Sequence, residues 1–587
     1  MPKVPDDHNP DRLPNTRFPV ADDPLASIDS PYTSAAPRDA WRPTPRELIL
    51  LLATLGLVLI VYLALTDKVA GLFADDAWYA LLGYSLATGN GYQVINSPTP
   101  GIFPLYPPLY PFLLSLLIRL FPVFPENVMA LKSVSLVSLL GLGALTFFYL
   151  RRYRGVPMAL ALFIPLLALL CQPLMFLATS TLMSECLFAV LAMALFLVAE
   201  RVVSKPAVGP DGAPYRVEPA WIITLGVLAG AIFLARSISI ALIAGVLIYL
   251  LKQRLFRELA VVALIFGVVA GSWTLYARSR TPTAAERLEQ GGNIVMSYSE
   301  QLWQREAGTA GDLVTISEFP ARMARNLRSI FGPDMIQLVA PPLFRWFNQL
   351  ARDYPGPVGV VRVVLPALLS ILVLIGYVCL LTRRLTAAEI GLPLIFGLIV
   401  IWPFNPLRFL APLAPFIFFY LLTGTAVVIR RLGRQTGAES RWEERLEGRA
   451  LLAMATILLV ISLAGHGLTL WNRQELDLTG FSWQMAFDDN EKMMRWVEQN
   501  IPRSEVLASN NPALAALFTG YKTVALDLNP ERWEMFRRLR IRYVLLHRYD
   551  GNVVPPLGSY PVLYRVRNSA NYRVIDLGPL EARPALP

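Results

Sequence analysis

Apolar runs separated by short polar breaks recur from residue 48 to residue 471 of the chain. They cover 48–65, 128–150, 158–172, 182–199, 221–235, 238–251, 258–277, 358–381, 387–402, 409–429 and 451–471. A helix needs about 20 such residues to cross a bilayer, so the pattern predicts about eleven membrane spans. The runs 158–172 and 238–251 are short, which predicts helices there that are tilted, extended by flanking residues or broken. Two polar stretches interrupt the series, 67–126 and 278–356. Past residue 471 the period changes. Helical segments at Glu491–Gln499, Pro512–Phe518 and Glu531–Leu539 alternate with strand-like runs at Val506–Ala508, Thr523–Leu526, Tyr543–Leu546, Val562–Val566 and Tyr572–Leu577. This alternation predicts a small α/β domain over 472–587.

Basic residues give the spans a direction. Arg42 and Arg46 precede the first run, and Arg151-Arg152-Tyr153-Arg154, Lys205 with Arg216, Lys252-Gln253-Arg254, Arg383-Arg384 and Arg430-Arg431 follow at every second boundary. Positive residues stay on the cytoplasmic side, so the N-terminus is expected there, while 67–126, 278–356 and the C-terminal domain face outward across the inner (plasma) membrane. Within the first outer stretch, Asp75–Ala87 has helical composition and stops at Thr88-Gly89-Asn90-Gly91. Pro108–Phe121 is apolar but short, which predicts an interfacial or re-entrant helix. Residues 1–45, rich in Pro, Asp and Ser, are expected to form a disordered cytoplasmic tail. They lack the features of a cleavable signal, so the first span is expected to be an uncleaved anchor.

Composition agrees with a membrane protein: 55% of the residues are hydrophobic and 16% charged. The net charge of +10 is spent at span ends, which argues against nucleic-acid binding. Cys171, Cys186 and Cys379 lie in or beside apolar runs without metal-ligand spacing, and His8, His466 and His547 are far apart. Neither a disulfide framework nor a histidine metal site is expected, and no cofactor is assigned. Carboxylates remain able to hold a divalent ion.

Candidate chemistry gathers at the outer boundary. Asp75 and Asp76 follow a span and head a helix, where carboxylates suit the positive end of the helix dipole. A carboxylate there can take a proton from a hydroxyl or bind a cation. Glu185 lies just inside the outer end of a span, and intramembrane carboxylates are costly unless functional or paired. Arg236, Arg408, Lys132 and Arg278 stand at outer span ends, against the positive-inside pattern. Arg236 and Arg408, enclosed by apolar sequence, are the stronger candidates for holding a phosphate; Lys132 can equally snorkel to the interface. Tyr79 is a further candidate substrate contact. Arg322–Arg328 reads as a basic amphipathic helix lying on lipid headgroups, or as a lid, within a stretch that also carries Arg287, Arg305 and Arg345. Tyr106-Pro107-Pro108-Leu109-Tyr110-Pro111 is read as structural, its prolines fixing where a helix begins.

Asp75-Asp76-Ala77-Trp78-Tyr79, the Tyr106–Pro111 run, Ser184-Glu185, Ala235-Arg236 and Arg408-Phe409-Leu410-Ala411-Pro412-Leu413-Ala414-Pro415, in this order along the spans, resemble the GT-C membrane glycosyltransferases. The resemblance is to the bacterial branch that includes protein O-mannosyltransferases and lipid A aminoarabinose transferases, and it covers about residues 45–430. It implies transfer of a hexosyl or pentosyl group from a polyprenyl-phosphate donor to a hydroxyl of a lipid, glycan or protein acceptor outside the cytoplasm. It also implies that Asp75 is the catalytic base. Asp76 stands where Glu is common in the family. The rival expectations are a polyprenyl-linked sugar or lipid flippase, which can use the same intramembrane charges, and a scaffold whose outer domain binds a partner.

Overall fold

The computed structural model of the chain describes residues 41–73, 75–99, 101, 106–204, 218–283, 286, 298–305, 313–353, 355–435, 440–474, 483–526, 530–547, 557, 560–566 and 572–579. Most of the expected N-terminal tail, the loop with Lys205 and Arg216, and Arg287 lie outside the described residues.

Helix α1 (Pro45–Leu65) starts at a capping box: the Thr44 hydroxyl accepts from the Glu47 N–H while the Glu47 carboxylate accepts from the Thr44 N–H. Two shorter helices then lie in the first outer segment, α2 (Asp75–Ala87) and α3 (Leu109–Leu120). The bundle continues with α4 (Val128–Leu131), α5 (Ser133–Tyr153), α6 (Met158–Leu169), α7 (Gln172–Thr179), α8 (Glu185–Val203), α9 (Pro219–Ala235), α10 (Ile240–Lys252) and α11 (Phe256–Arg280). The second outer segment holds α12 (Tyr298–Leu302), α13 (Phe319–Ser329), α14 (Met335–Val339) and α15 (Pro341–Asp353). The chain returns through α16 (Pro355–Arg383), α17 (Ala387–Ile401), α18 (Pro406–Leu410), α19 (Ala414–Gln435) and α20 (Ser440–Gln474).

Among the described residues seven helices are long and apolar enough to cross a membrane, and α6 with α7 forms an eighth, bent by 56°. The bend falls where the sequence is short for a straight crossing. The apolar helices α9, Ser237–Lys252 and α17 are shorter, and with them the bundle has the eleven segments expected. Side chains such as Ile49, Leu52, Leu264 and Val363 are 65–69% exposed on the outside of the bundle, as expected where lipid rather than protein covers them. The chain is a multi-pass membrane protein.

The basic residues at the inner boundary do more than set direction. Arg154 pairs with Glu389 at 2.8 Å, Arg151 with Glu47 at 2.5 Å and Arg384 with Glu200 at 3.6 Å, and Arg430 pairs with Glu447. These pairs tie α5, α8 and α19 to α1, α16, α17 and α20. Glycines allow closer contact where α16 crosses α19. A Cβ on Gly376 would stand 1.9 Å from the Tyr420 carbonyl oxygen, so the two backbones touch.

Beyond the bundle, α21 (Trp483–Asn500) leads into β1 (Val506–Ser509), α22 (Pro512–Thr519), β2 (Lys522–Ala525), α23 (Pro530–Arg538), β3 (Tyr543–Leu546), β4 (Val562–Arg565) and β5 (Arg573–Asp576). The sheet order is β2-β1-β3-β5-β4, parallel at β2/β1 and β1/β3 and antiparallel at β3/β5 and β5/β4. One face, with Leu507 and Leu545, packs with α22 onto the large core shared with the bundle. The other, with Ala508, Val544 and Ile575, is covered by Met535 and Phe536 of α23.

The sheet is locked to α21 by a buried imidazole. His547 Nδ1 donates to Asn490 Oδ1 at 2.8 Å, and the Ser509 hydroxyl, 2.6 Å from Nε2, donates to that nitrogen. Only a neutral ring satisfies both, and burial pushes its pKa down to about 3. The folded value lies below the ordinary one near 6.5, so this contribution is complete above about pH 6.5 and is lost as pH falls toward 3. Acidifying from pH 6.5 to 4 is expected to cost the domain about 1.4 kcal/mol per pH unit, read as faster hydrogen exchange at the β1 and β3 amides; His547→Gln is expected to flatten that dependence.

Candidate active site

Three breaks in the helices bring the candidate residues together. Asp75 is the first residue of α2, and Glu185 the first of α8, so both carboxylates sit at positive helix ends. Arg236 caps α9 in an extended conformation (φ −155°, ψ 123°) where the chain turns into α10. Arg408 lies in α18, whose start is set by Pro406 in the first turn and by Asn405 Oδ1 accepting from the Leu407 N–H at 2.9 Å.

Arg408 is the centre. Its Nη2 lies 2.9 Å from Asp75 Oδ2 and its Nε 2.5 Å from Glu185 Oε1. Arg236 Nη1 reaches the same Glu185 oxygen at 2.8 Å and donates to the Ser184 hydroxyl at 3.1 Å. Tyr79 bonds Ser184 Oγ from the other side at 3.1 Å, and the Tyr106 hydroxyl donates to Asp75 Oδ1. Two carboxylates therefore face two guanidiniums, and the set is formally neutral. Glu185 is 1% exposed while Asp75 is 27% exposed, so the first fixes the arginines and the second meets the solvent-accessible space. Aromatic rings complete the cradle: Arg236 stands 5.5 Å over Phe409, and Arg408 5.5 Å over Phe73.

This cluster separates two cavities. One, about 230 Å³, has Asp75, Tyr79, Tyr106, Arg236 and Arg408 at its head, with Tyr298 and Gln301 of α12 as a roof. Ile238, Ile240 and Leu398 extend it along the spans, and Ile240 is 44% exposed on the bundle's outer surface. The other, about 1590 Å³, lies between the bundle and α21 and shares Arg408 and Phe404 with the first.

Not every expected residue joins this centre. Asp76 is fully buried and lines neither cavity. Its carboxylate accepts from the backbone N–H of Gly71 at 2.7 Å, Leu72 and Phe73 at 3.3 Å, and Ala77 at 3.2 Å. Burial pushes the Asp76 carboxyl above the ordinary aspartate value, and the N–H donors of the loop work against that shift by favouring the acceptor-only form; through these bonds Asp76 folds the loop that carries Asp75. Lys132 is also fully buried. Its Nζ donates to Asp67 O and Oδ1 and to Thr179 O at 2.7–2.8 Å, joining the first outer segment to α7. Arg278 is exposed in the last turn of α11 and lines neither cavity.

The amphipathic helix expected at Arg322–Arg328 forms as α13, but its lipid-facing role requires correction at Arg322. That guanidinium is 2% exposed and donates to the carbonyls of Leu302, Gln304 and Ile401. It braces the α12 roof, while Arg325 and Arg328 face outward. Tyr106, Tyr298 and Gln301 are site residues that the pattern of the sequence does not single out. Tyr106 lay within a motif read as structural; Tyr298 and Gln301 lie in a polar stretch without periodicity. Among the described residues no three His, Cys, Asp or Glu side chains group as a metal site.

Exchanging Asp76 for Ala is expected to cost about 2–3 kcal/mol by orphaning buried N–H groups, lowering the melting temperature in nanodiscs. Asp75→Asn, which keeps the buried loop bonds but removes one counter-charge of Arg408, is expected to lower it by less.

No family model and no curated protein matches this chain. Solved structures do. ArnT from Cupriavidus metallidurans bound to undecaprenyl phosphate aligns over 92% of this chain and 100% of that one, at 14% identity and a TM-score of 0.52. The apo state of ArnT from the same organism aligns over 92% and 99%, at 12% identity and a TM-score of 0.53. An Archaeoglobus fulgidus oligosaccharyltransferase in the apo form covers 86% of this chain and 70% of that one, at 12% identity and a TM-score of 0.48. The chain thus has the fold of the ArnT structures, the GT-C-type membrane architecture that the resemblance of its motifs implies.

Proposed function

We propose that the chain is a glycosyltransferase that moves a sugar from a polyprenyl-phosphate donor to an acceptor hydroxyl on the extracytoplasmic face of the membrane. One observation carries this reading. The smaller cavity has two guanidiniums and a carboxylate at its head and apolar, outward-exposed side chains along its length. A phosphate bearing a long hydrocarbon tail matches both ends of that space: charge-assisted bonds hold the phosphate, and the tail stays among apolar side chains and lipid. Undecaprenyl phosphate bound to an ArnT of the same fold supports the same substrate class.

The chemistry is a single displacement. Asp75 takes the proton of the acceptor hydroxyl, the oxygen attacks the anomeric carbon, and the bond from that carbon to the phosphate oxygen breaks. The leaving phosphate keeps the electron pair, and Arg236 and Arg408 stabilise the charge it gains. Glu185 holds both arginines in place before the donor arrives, so little reorganisation accompanies the reaction. Arg408 begins on Asp75. A donor phosphate competes for that guanidinium, and its arrival frees the carboxylate to act as base; Tyr106 keeps the carboxylate aimed. Tyr79 orients Ser184 and with it Arg236. The larger cavity, which shares Arg408, receives the acceptor, and the N-terminus lies in the cytoplasm with the α/β domain outside. Asp76 and Lys132 act by folding the first outer segment.

With purified protein in lipid and radiolabelled polyprenyl-phosphate sugars, Asp75→Asn is expected to lower kcat about 10²- to 10⁴-fold. Near-wild-type transfer by that variant removes the base assignment, and movement of label across vesicles without transfer indicates a flippase. Arg408→Ala is expected to lower kcat about 10²- to 10³-fold and to weaken polyprenyl-phosphate binding, read by isothermal titration in nanodiscs.

A further inference from the structure

In open α/β sheets the crevice beyond the carboxyl ends of neighbouring strands, where the strand order reverses, is where ligands bind. In this chain the order reverses at β1 and β3. Their carboxyl ends carry Ser509, Asn510, Asn511 and His547. The trio Ser509, His547 and Asn490 has the connectivity of a nucleophile, a base and an orienting residue. It is 0–1% exposed and the crevice is filled, so no substrate reaches it. What fills it is the chain's own first outer segment. Asn511 Nδ2 donates to the Gly71 carbonyl at 3.0 Å across 440 residues of sequence. Gly71 sits at φ +84°, and a Cβ there would meet Leu514 at 2.8–2.9 Å, so the fit admits only glycine.

From Gly71 the contacts run through Asp76 to Asp75. The Gly71 N–H bonds Asp76 Oδ2 at 2.7 Å, and Asp76 adjoins Asp75. On the domain side, Asn511 is fixed twice. Its Oδ1 accepts from the Leu514 N–H, capping α22, and its own N–H donates to Ser509 Oγ, which is held by the His547 ring. A second strap lies at β2. Asn96 Nδ2 donates to Thr523 Oγ1 at 2.8 Å, the Thr523 N–H donates to Asn96 O at 2.7 Å, and Lys522 Nζ donates to Ile95 O at 2.8 Å. Near that strap Tyr92 donates to the Tyr106 carbonyl at 2.6 Å. Both the backbone of Asp75 and that of its aiming partner Tyr106 are thus reached from the C-terminal domain.

We propose that the ligand crevice of the α/β domain serves as a socket for the catalytic loop, and that Asn511 is a positioning residue that sets the pose of Asp75 through Gly71 and Asp76. The domain acts on the transfer step without touching substrate. This rests on the transferase reading above for its kinetic consequence, though not for its structural one.

Asn511→Asp separates the strap from the fold. The aspartate keeps an oxygen to cap α22 but has no N–H to give Gly71, and its charge faces the Gly71 carbonyl. Hydrogen exchange on the full-length variant in nanodiscs is expected to quicken at the Gly71, Leu72 and Phe73 amides, with the α22 amides unchanged. Unchanged exchange at residues 71–73 overturns the socket whether or not the chain is a transferase. In the transfer assay kcat is expected to fall about 10- to 100-fold, the scale of a small misplacement of a reacting group, with KM for donor and acceptor unchanged. A variant that keeps kcat within about twofold, or loses activity through KM alone, overturns the positioning role. Thr523→Val, which removes one of the three bonds of the second strap and leaves the other two, is expected to deepen the kcat loss of Asn511→Asp. Absence of transfer by the unaltered chain with every donor would instead fail the transferase reading, and the exchange measurement would still decide the socket.

Discussion

Everything at the candidate site depends on matching two largely buried, charged arginines at the ends of the spans. A guanidinium cannot shed its proton there, and burying it alone is prohibitive, so it must be matched. Glu185 matches Arg236 and half of Arg408, and Asp75 matches the rest. The four groups come from α2, α8, the α9–α10 turn and α18, so none of these can shift without stranding a charge. That restriction makes the site rigid before any substrate binds. It also makes Arg408 the counter-charge shared by Asp75 and Glu185, the group on which the proposed phosphate binding turns.

The other ends of the spans solve the same problem differently. Arg154 with Glu389 and Arg384 with Glu200 are ion pairs at helix ends, and Coulomb attraction holds the helices together there. The ends at the candidate site are interrupted by comparison, with α7 bent from α6 and α9 broken from α10 at Arg236. The Leu170 carbonyl at the first break accepts from Ser462 and His466 of α20, and the second break brings Arg236 to Glu185.

Much of this is legible in the sequence because membranes impose one-dimensional rules. Span length is read directly from the order of residues, and Arg151, Arg383 and Arg430 give each span its expected side. The anomaly of Arg236 and Arg408 is visible for the same reason: a cation at an outer span end violates the rule that explains the others. The bend at Cys171 announced itself as a span too short. In the α/β domain each strand is short and bounded by turn residues, so β1, β3 and α22 fall within a residue of where periodicity puts them. What sequence could not separate is Asp75 from Asp76. Adjacent residues at a helix start point in different directions, and which of them meets the cavity depends on the turn at Gly71, set by contacts 440 residues away. Tyr298 and Gln301 were hidden for a related reason, since their place over the cavity is fixed by Arg322 reaching the Leu302 and Gln304 carbonyls rather than by any local pattern. Lys132 and Arg278 obey the same compositional description as Arg236; only tertiary pairing distinguishes them.

The loop that carries Asp75 poses a problem the membrane does not solve. Residues 67–73 have no regular secondary structure of their own, and a loop held only by its ends would let the Asp75 carboxylate wander relative to Arg408. Asp76 supplies one constraint from within, by gathering four N–H groups onto a single carboxylate. That arrangement fixes the loop's shape but not its position relative to α18, and it is position that brings Asp75 to Arg408. Position requires a contact to a rigid body outside the loop. Lys132 provides one at Asp67, from the bundle, and Asn511 provides another at Gly71, from the sheet. Two anchors on either side of the turn, one in each body, define where the carboxylate can be. The rigidity of the second is inherited from β1 and β3 through Ser509 and His547, which is why a buried histidine far from the cavity belongs to the same mechanical unit as Asp75 and Asp76.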